Sequence, residues 1–141
     1  MKLKVCGLSN PKEVEICINN NVNFCGFILN YPKSHRYISY EKAKKLLSIN
    51  KNKTQYVGVL VKPSLEELKK FSQLNLDYFQ LYGQYNNRLL NDIKNKFKKK
   101  IISALQVTKK SDIETYKNVQ DEADIVLWDS SGYEKSLGWN H

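Results

Sequence analysis

Residues 26–39 read Gly-Phe-Ile-Leu-Asn-Tyr-Pro-Lys-Ser-His-Arg-Tyr-Ile-Ser, and the stretch changes from apolar to polar at Asn30. The run Phe24–Leu29 is short and apolar, which is typical of a strand covered on both faces. Pro32 then ends the ladder because proline has no N–H to donate. The sequence therefore predicts a parallel strand that leads into a polar loop.

Arg36 lies in this loop, and it is one of only two arginines in a chain that has 21 lysines. A guanidinium is planar and permanently charged, so it can bind a carboxylate or phosphate through two hydrogen bonds, which an ammonium cannot do. We interpret Arg36 as a residue that binds an anion. The alternative for any such arginine is a solvated loop cation.

The chain has 141 residues, of which 41% are hydrophobic. This size and composition suit one globular domain over residues 1–141 with a core of its own. The first eight residues are too interrupted by charge for a signal peptide, and no apolar run approaches the ~20 residues of a membrane span. We therefore expect a cytoplasmic protein with no membrane partner.

Three cysteines, Cys6, Cys17 and Cys25, are present. Their number is odd and their spacing matches no metal site, so we expect reduced thiols, with Cys17 and Cys25 in the core. The sequence contains no nucleotide-binding loop, zinc spacing or Ser-His-Asp order. Neither a metal nor another cofactor is expected.

The formal net charge is +9, and the densest basic run is Lys94–Lys100. Such a charge is compatible with nucleic-acid binding, but no aromatic residues are interleaved through the run as a single-strand binding surface requires. Because the excess is nearly all lysine and accompanies 15 asparagines, a drift in composition explains it better. The run is expected on a solvated helix end, where cations suit the helix dipole.

Six short apolar runs recur along the chain, and each has the length of a strand. They are Lys2–Cys6, Phe24–Leu29, Gln55–Val61, Tyr78–Leu81, Ile101–Leu105 and Ile125–Trp128.

Amphipathic segments lie between these runs, and most begin with a helix-capping residue. The expected helix faces are Val14, Cys17 and Ile18 after Asn10; Tyr40, Ala43, Leu46 and Leu47 after Ser39; Leu65, Leu68 and Phe71 after Ser64; Leu90, Ile93 and Phe97 after Gly83; and Ile113 and Tyr116 after Ser111. Only a polar tail is expected beyond the sixth strand.

Strand and helix units thus repeat about every 20 to 25 residues, a pattern that favours parallel strands joined by right-handed helical crossovers. A doubly wound sheet would be complete with five or six strands. A (β/α)₈ barrel would need ~200 residues or more, so this chain would stop two units short. Periodicity leaves both architectures open, and both place function at the carboxyl ends of the strands.

Cys6, Arg36, Gln80 and Asp129 are all expected at such strand ends. A thiol and a carboxyl from different strands can supply the base and the acid for proton transfer on a carbonyl or hemiaminal, provided that the environment raises the pKa of the carboxyl and lowers that of the thiol. Each residue also has a simpler interpretation: Cys6 as a buried apolar residue and Asp129 as the cap of the following turn.

Several motifs together resemble the phosphoribosylanthranilate isomerase family of tryptophan biosynthesis. They are Lys4-Val-Cys-Gly-Leu8, Gly26-Phe27, Tyr31-Pro-Lys-Ser-His-Arg-Tyr-Ile-Ser39, Val57-Gly-Val59, Gln80-Leu-Tyr-Gly83 and Leu127-Trp-Asp-Ser130. The resemblance spans nearly the whole chain, and it implies a (β/α)₈ barrel of which the first six units are present.

The resemblance implies an Amadori rearrangement of N-(5-phosphoribosyl)anthranilate, without a cofactor. Asp129 would be the general acid that protonates the ring oxygen, and Cys6 the general base that removes the proton beside the imine carbon. Arg36 would contact the anthranilate end of this phosphorylated substrate. Gln80, Gly7 and Gly83 match further substrate-binding positions of the family.

The chain departs from the family pattern in three places. Tyr82 stands where histidine is more usual, and residues 131–139 are poorer in glycine than the family's loop, although Lys135, Ser136 and Trp139 still align. The chain ends at His141, before the two units that would carry the phosphate site. The resemblance therefore implies a truncated barrel that turns over poorly and associates through its open edges.

Two alternatives remain open at this stage. The chain could be an inactive partial barrel that serves as a binding or scaffold protein, or a basic nucleic-acid module with a doubly wound sheet. Association or fusion with another enzyme of the tryptophan pathway is a further possibility implied by the resemblance.

Overall fold

The computed structural model describes residues 1–137. In this part of the chain six strands form one parallel sheet, and every predicted strand is confirmed with ends that shift by at most two residues. The strands are β1 (Lys4–Cys6), β2 (Phe24–Ile28), β3 (Gln55–Val61), β4 (Tyr78–Tyr82), β5 (Lys100–Gln106) and β6 (Ile125–Asp129).

Helices follow the strands in the predicted order. They are α1 (Pro11–Asn19), α2 (Tyr40–Leu46), α3 (Leu65–Phe71), α4 (Asn87–Phe97), a 3₁₀ helix (Lys110–Asn118) and α5 (Gly132–Ser136). Asn10, Ser39, Ser64 and Asn86 cap α1 to α4, because the side-chain oxygen of each accepts the N–H three residues later. Among the described residues no helix is both long and apolar enough to cross a bilayer.

The strands pair in chain order, so that each strand lies beside the next one and all pairs are parallel. A doubly wound sheet instead reverses its strand order at a switch point. The observed order therefore excludes the doubly wound alternative, and with it the fold assumed for a nucleic-acid module. In the described sheet, β1 and β6 are the two edge strands.

The sheet has two apolar faces. Its outer face packs against the helices in one large core that includes the predicted helix faces of α1, α2 and α4 and the buried Cys17 and Cys25. Its inner face carries two smaller layers. Phe24, Val57, Tyr78 and Ile102 form the layer near the amino ends, and Ile28, Val59, Tyr82, Ala104 and Leu137 form the layer near the carboxyl ends.

The basic run lies at the end of α4, as expected. Lys94 forms ion pairs with Glu122 and Asp124 at 3.8 and 3.3 Å between nitrogen and oxygen. The Lys99 ammonium donates to the carbonyl oxygens of Leu74 and Leu76 at 3.2 and 2.9 Å. Part of this charge therefore supports the fold.

Two predictions about helix faces are wrong. Leu65 is 59% exposed, because at 100° per residue it lies about 90° from the centre of the stripe that Leu68 and Phe71 define. Ile113 and Tyr116 are also exposed, at 54% and 39%. In α3 the three apolar residues are therefore not all buried, in contrast to those of α1 and α4.

The segment after β5 also differs from its prediction as a helix capped at Ser111. Asp112 accepts hydrogen bonds from the N–H and the hydroxyl of Thr108 and from the N–H of Lys109, so the segment begins earlier and winds as a 3₁₀ helix. Tyr116 packs at the surface against Trp128, with 5.9 Å between the ring centroids. The polar tail expected after β6 is in fact the short helix α5.

Candidate active site

Cys6 is the last residue of β1, and its thiol belongs to the inner layer near the carboxyl ends of the strands. In the sheet register Cys6 lies beside Gly26 of β2. A Cβ at position 26 would lie 3.2 Å from Cys6 Sγ, which is tighter than an ordinary contact. Gly26 therefore provides the space that the thiol occupies.

Gly7 follows Cys6 with φ +80°, a conformation that disfavours any residue with a side chain. A Cβ at this position would lie 2.6, 2.7 and 2.8 Å from the Cδ, Nη1 and Nε atoms of Arg36. Position 7 must therefore be glycine for the guanidinium to reach the end of β1. This explains the Cys-Gly pair in structural terms.

Arg36 extends from the loop after β2 toward Cys6. Its Nη1 donates to the carbonyl oxygen of Cys6 at 3.2 Å, and its Nη2 donates to the carbonyl oxygen of Ser136 at 2.8 Å. Its Nε is buried and has no hydrogen-bond partner within residues 1–137. One edge of the guanidinium fork thus keeps an unpaired donor.

Ser34 fixes the backbone of this loop. Its hydroxyl is buried, accepts the N–H of Arg36 at 3.1 Å and donates to the carbonyl oxygen of Leu137. The loop after β2 and the end of α5 are therefore linked by hydrogen bonds from both Ser34 and Arg36.

Asp129 is the last residue of β6 and is only 8% exposed. Its Oδ1 accepts the N–H groups of Ser131 and Gly132 at 2.9 and 3.2 Å, and also the Ser131 hydroxyl at 3.2 Å. Its Oδ2 accepts the hydroxyl of Ser136 at 2.5 Å and that of Tyr82 at 3.4 Å.

These contacts determine the protonation of Asp129. Burial acts to raise the pKa of this carboxyl, but the hydrogen bonds from Ser136, Ser131 and Gly132 outweigh burial and hold the pKa below its ordinary value of 3.8. The site therefore favours the carboxylate, whereas the sequence argument for a general acid required a raised pKa.

Tyr82 is the last residue of β4, and its hydroxyl lies near both proposed proton-transfer groups. Burial raises the pKa of Tyr82, the charges of Asp129 and Cys6 raise it further, and a hydrogen bond from Gln80 opposes them. The phenol therefore stays protonated at neutral pH and donates to Asp129. No argument from the sequence gave Tyr82 a role, although its position two residues after Gln80 places both on the same face of the strand.

Gln80 lies in the middle of β4 and not at its end, because the strand continues to Tyr82. Its side chain is 1% exposed, and its Oε1 has no hydrogen-bond partner in the described chain. A buried acceptor of this kind is costly unless a donor reaches it.

Gly83 lines a neighbouring cavity of about 540 Å³ at the ends of β3, β4 and β5. A Cβ at position 83 would lie 3.0 Å from Cε2 of Tyr85. The cavity is walled by tyrosines and polar side chains, among them Lys62 and Gln106. Gly83 thus lines a cavity that shares Tyr82 and Tyr133 with the site formed by Cys6, Arg36 and Asp129.

The helix α5 lies across the carboxyl ends of the strands. Tyr133 packs edge-on against the rings of Tyr31 and Tyr82, at 5.5 and 6.1 Å between centroids. Leu137 is 1% exposed and completes the inner layer. With Ser136 bonded to both Arg36 and Asp129, this segment closes the site from above.

The structure therefore brings Cys6, Gly7, Arg36 and Asp129 together, and it places Gln80 deeper and Gly83 to one side. Sequence reasoning missed the donors Ser131 and Tyr82. Within residues 1–137 no three His, Cys, Asp or Glu side chains are arranged to hold a metal ion. Trp139, which the resemblance aligned with the family, lies outside the described residues.

Parallel strands in chain order, crossover helices on the outer face and polar side chains at the carboxyl ends define a protein of the (β/α)₈-barrel class. The family model for N-(5'-phosphoribosyl)anthranilate isomerase matches residues 3–141. The chain belongs to this family.

Relatives and solved structures agree with this assignment. The isomerase of Streptococcus mutans is 33% identical over 98% of this chain and 67% of its own length, and that of Clostridium acetobutylicum is 32% identical over 99% and 68%. A phosphoribosyl anthranilate isomerase in complex with reduced 1-(o-carboxyphenylamino)-1-deoxyribulose 5-phosphate superposes with a TM-score of 0.78 at 27% identity, covering 92% of this chain and 64% of that one.

The isomerase of Thermotoga maritima superposes with a TM-score of 0.77 at 27% identity, covering 91% of this chain and 60% of the other. The chain thus spans about two thirds of the length of the relatives that it matches. The six strands correspond to the first part of the barrel.

Proposed function

We propose that the chain acts in the isomerisation of N-(5'-phosphoribosyl)anthranilate to 1-(2-carboxyphenylamino)-1-deoxyribulose 5-phosphate, a step of tryptophan biosynthesis. The observation that carries the proposal is the arrangement at the strand ends, where Arg36 bonds to the backbone of Cys6 and shares Ser136 with Asp129. An anion-binding group, a thiol and a carboxyl thus line one site.

In this proposal Asp129 is the general acid. Its proton passes to the oxygen of the sugar ring, the bond from that oxygen to C1 breaks, and the nitrogen lone pair forms the C=N double bond of a protonated imine. Because the hydrogen bonds to Asp129 favour its carboxylate, the acid form requires that Ser136 release Oδ2, which removes one of the contacts that lower the pKa. Opening of α5 would therefore both admit substrate and prepare the acid.

Cys6 is the general base of the second step. Its thiolate removes the proton from C2 of the sugar, the C–H electron pair forms the C1–C2 double bond, and the π pair of the C=N bond returns to nitrogen. The resulting enolamine becomes the ketone when its C2 hydroxyl loses a proton and C1 gains one. Its position in the inner layer, opposite Gly26, supports this role because the thiol faces the interior of the barrel.

Arg36 would bind the carboxylate of the anthranilate group. Its buried Nε has no partner in the described residues, and Nη2 contacts a backbone carbonyl that α5 can withdraw. These two donors would form a bidentate pair with a carboxylate. Gly7 would serve by leaving room for the guanidinium.

Gln80 and Gly83 would support binding. The buried Oε1 of Gln80 can accept a hydroxyl of the sugar, which would satisfy an acceptor that is unpaired in residues 1–137. Gly83 keeps the rim beside Tyr82 open. The substrate phosphate would be bound by a part of the barrel that the relatives contain beyond the region matched here.

We also propose that residues 1–141 form a single domain of a cytoplasmic enzyme that needs no cofactor. This proposal is supported by the family assignment. Association or fusion with another enzyme of the same pathway is part of the same proposal.

The test compares the chain with a chimera in which the last third of the Streptococcus mutans relative follows residue 137. Loss of substrate fluorescence reports turnover. We expect activity in the chimera, and we expect Cys6→Ala and Asp129→Ala each to lower it by ~10²–10⁴-fold, the usual contribution of an acid or base. Cys17→Ala changes a buried thiol away from the site and is the control.

Near-normal turnover in Cys6→Ala would reject the assigned base. A folded chimera without turnover would favour the alternative of an inactive barrel. Two observations support testing this alternative: Asp129 is held as a hydrogen-bonded carboxylate, and α5 lies over the site.

A further inference from the structure

Lys4 of β1 places a basic side chain on the inner face of the sheet. Side chains alternate between the two faces of a strand, so Lys4 and Cys6 of β1 share one face. Lys4 pairs in register with Phe24 and Cys6 with Gly26, and Phe24 belongs to the inner layer near the amino ends. Lys4 therefore projects into the barrel interior below the thiol.

The Lys4 ammonium and the Cys6 thiol both lie close to Gly26. A Cβ at position 26 would lie 3.2 Å from Cys6 Sγ and 3.5 Å from Lys4 Nζ. The ammonium and the thiol are therefore within about 7 Å of each other, which is shorter than the ~8 Å Debye length at physiological ionic strength, so salt does not fully screen their interaction. Lys4 forms no ion pair within residues 1–137, so no carboxylate there neutralises it.

We propose that Lys4 is a positioning residue that stabilises the thiolate form of Cys6. The proposal rests on the proposed function, in which that thiolate is the base. It adds to the proposed function the identity of the cation that favours the thiolate of Cys6.

Other charged or titratable groups also face Cys6. Arg36 approaches from the loop after β2, but its Nη1 is directed to the carbonyl oxygen of Cys6. Tyr82 approaches from β4 as a neutral phenol, and Asp129 of β6, which accepts from Tyr82, carries a negative charge that opposes a thiolate. Lys4 is thus a cation near the Cys6 thiol whose positive charge opposes the effect of the negative charge of Asp129.

The experiment measures the rate at which iodoacetamide alkylates Cys6 as a function of pH, by mass spectrometry of the peptide that contains it. It uses the 141-residue chain, in which the buried Cys17 and Cys25 give internal references. The variants are Lys4→Gln, which removes the charge, and Lys4→Arg, which keeps it.

Lys2→Gln is the matched control. Lys2 carries the same charge as Lys4 and, two residues before it, would point to the same side of an extended chain. It is exposed and lies outside β1, about 7 Å from Lys4 along the chain.

We expect Lys4→Gln to raise the pH of half-maximal alkylation by about half a unit or more, which is about a threefold loss of thiolate at lower pH. Lys4→Arg and Lys2→Gln should keep the profile of the unmodified chain. Equal profiles for Lys4→Gln and Lys2→Gln would overturn the proposal. If circular dichroism shows that Lys4→Gln does not fold, Lys4→Met, which keeps the apolar stem, replaces it with the same expectations.

The two proposals can fail separately. If Cys6→Ala abolishes turnover in the chimera but Lys4→Gln leaves the alkylation profile unchanged, the role of Lys4 is wrong and the proposed function stands. If the profile shifts but Cys6→Ala retains turnover, the thiolate is stabilised for a purpose other than this isomerisation.

Discussion

Residue 7 is glycine, and the absence of a Cβ there allows the Arg36 side chain to lie against the end of β1. The backbone has φ +80°, and a Cβ would come as close as 2.6 Å to the arginine side chain. Two independent penalties therefore act on any substitution, backbone strain and steric overlap.

We predict that Gly7→Ala destabilises the chain by about 1–3 kcal/mol from backbone strain alone, with a further cost from the displaced guanidinium. Urea unfolding measures the total. In an Arg36→Ala background the overlap is absent, so the same substitution should cost less there. Equal costs in the two backgrounds would mean that Arg36 is not the group displaced.

Asp129 provides a prediction about pH. Its pKa in the folded chain lies below the ordinary 3.8, so its contribution to stability is fully present above that value and is lost as pH falls through the folded pKa. Ser136→Ala removes the hydroxyl bonded to Oδ2 and should raise the pKa of Asp129 toward its ordinary value. The stability that Asp129 loses on acidification should then be smaller, because the difference between its pKa in the folded and in the unfolded chain narrows.

Carbon-13 NMR titration of the Asp129 carboxyl group measures this change directly. Ser130→Ala is the control, because Ser130 is exposed and adjacent in sequence. A titration of Asp129 that is unaffected by Ser136→Ala would show that Ser136 does not determine its protonation.

The sequence predicted which residues meet at the site better than it predicted their surroundings. Cys6, Arg36 and Asp129 follow from strand ends, because parallel strands bring their carboxyl ends to one edge. The hydrogen bonds to Asp129 could not be predicted, since Ser131 and Ser136 belong to a segment whose polar composition indicated only a tail. The depth of Gln80 was missed because β4 ends one residue later than its apolar run suggested.

Among the secondary-structure elements, α3 shows most clearly what a helical pattern can predict. Its capping box at Ser64 is present as expected, with Ser64 and Glu67 bonded to each other's backbone N–H. Its apolar stripe is narrower than predicted, because Leu65 lies in solvent. The start of a helix is specified by local hydrogen bonds, whereas the buried face depends on how the helix sits on the sheet.

This difference gives a matched pair of substitutions. Leu68→Ala removes a side chain that is 4% exposed and should cost ~2–5 kcal/mol in the free energy of unfolding. Leu65→Ala removes the same atoms from a side chain that is 59% exposed and should change the free energy by less than about 0.5 kcal/mol. Urea titrations of both variants decide the matter, and similar costs would place Leu65 in the core.

The segment after β5 shows where local patterns fail. The sequence predicts a start at Ser111, whereas in the structure the helix begins earlier, where Asp112 accepts three hydrogen bonds from Thr108 and Lys109. Where the helix begins depends on the geometry of the loop that leaves β5. A capping pattern alone does not contain that information.

At the scale of the complete sheet, strand order is the property that periodicity could not provide. Alternating strands and helices are common to both architectures, and only the pairing of each strand with the next distinguishes the barrel. Pairing is a tertiary property, so the family motifs and not the apolar pattern predicted it correctly.

The sheet also has consequences in solution. In the described residues β1 and β6 each have an unpaired edge, and the inner-face side chains Ile125 and Leu127 of β6 are only partly buried. Open edges and apolar interior surface favour association between chains. We predict that the 141-residue chain self-associates in sedimentation velocity experiments at micromolar concentration.

The chimera with the last third of the Streptococcus mutans relative is the control for this prediction. It should sediment as a smaller, more uniform species with a higher melting temperature, because added strands would cover both edges. A 141-residue chain that is monodisperse and melts as sharply as the chimera would contradict the prediction.

The helix α5 has an energetic consequence for any ligand of this site. It occupies Arg36 and Asp129 at the same time, so a ligand that needs either group binds only those molecules in which α5 has detached. The measured dissociation constant is then the intrinsic constant divided by the detached fraction, and each tenfold preference for the attached state weakens binding by about 1.4 kcal/mol. For the carboxylate that Arg36 is proposed to bind, substitutions at Tyr133 or Leu137 should therefore change the affinity, although neither side chain needs to contact the ligand.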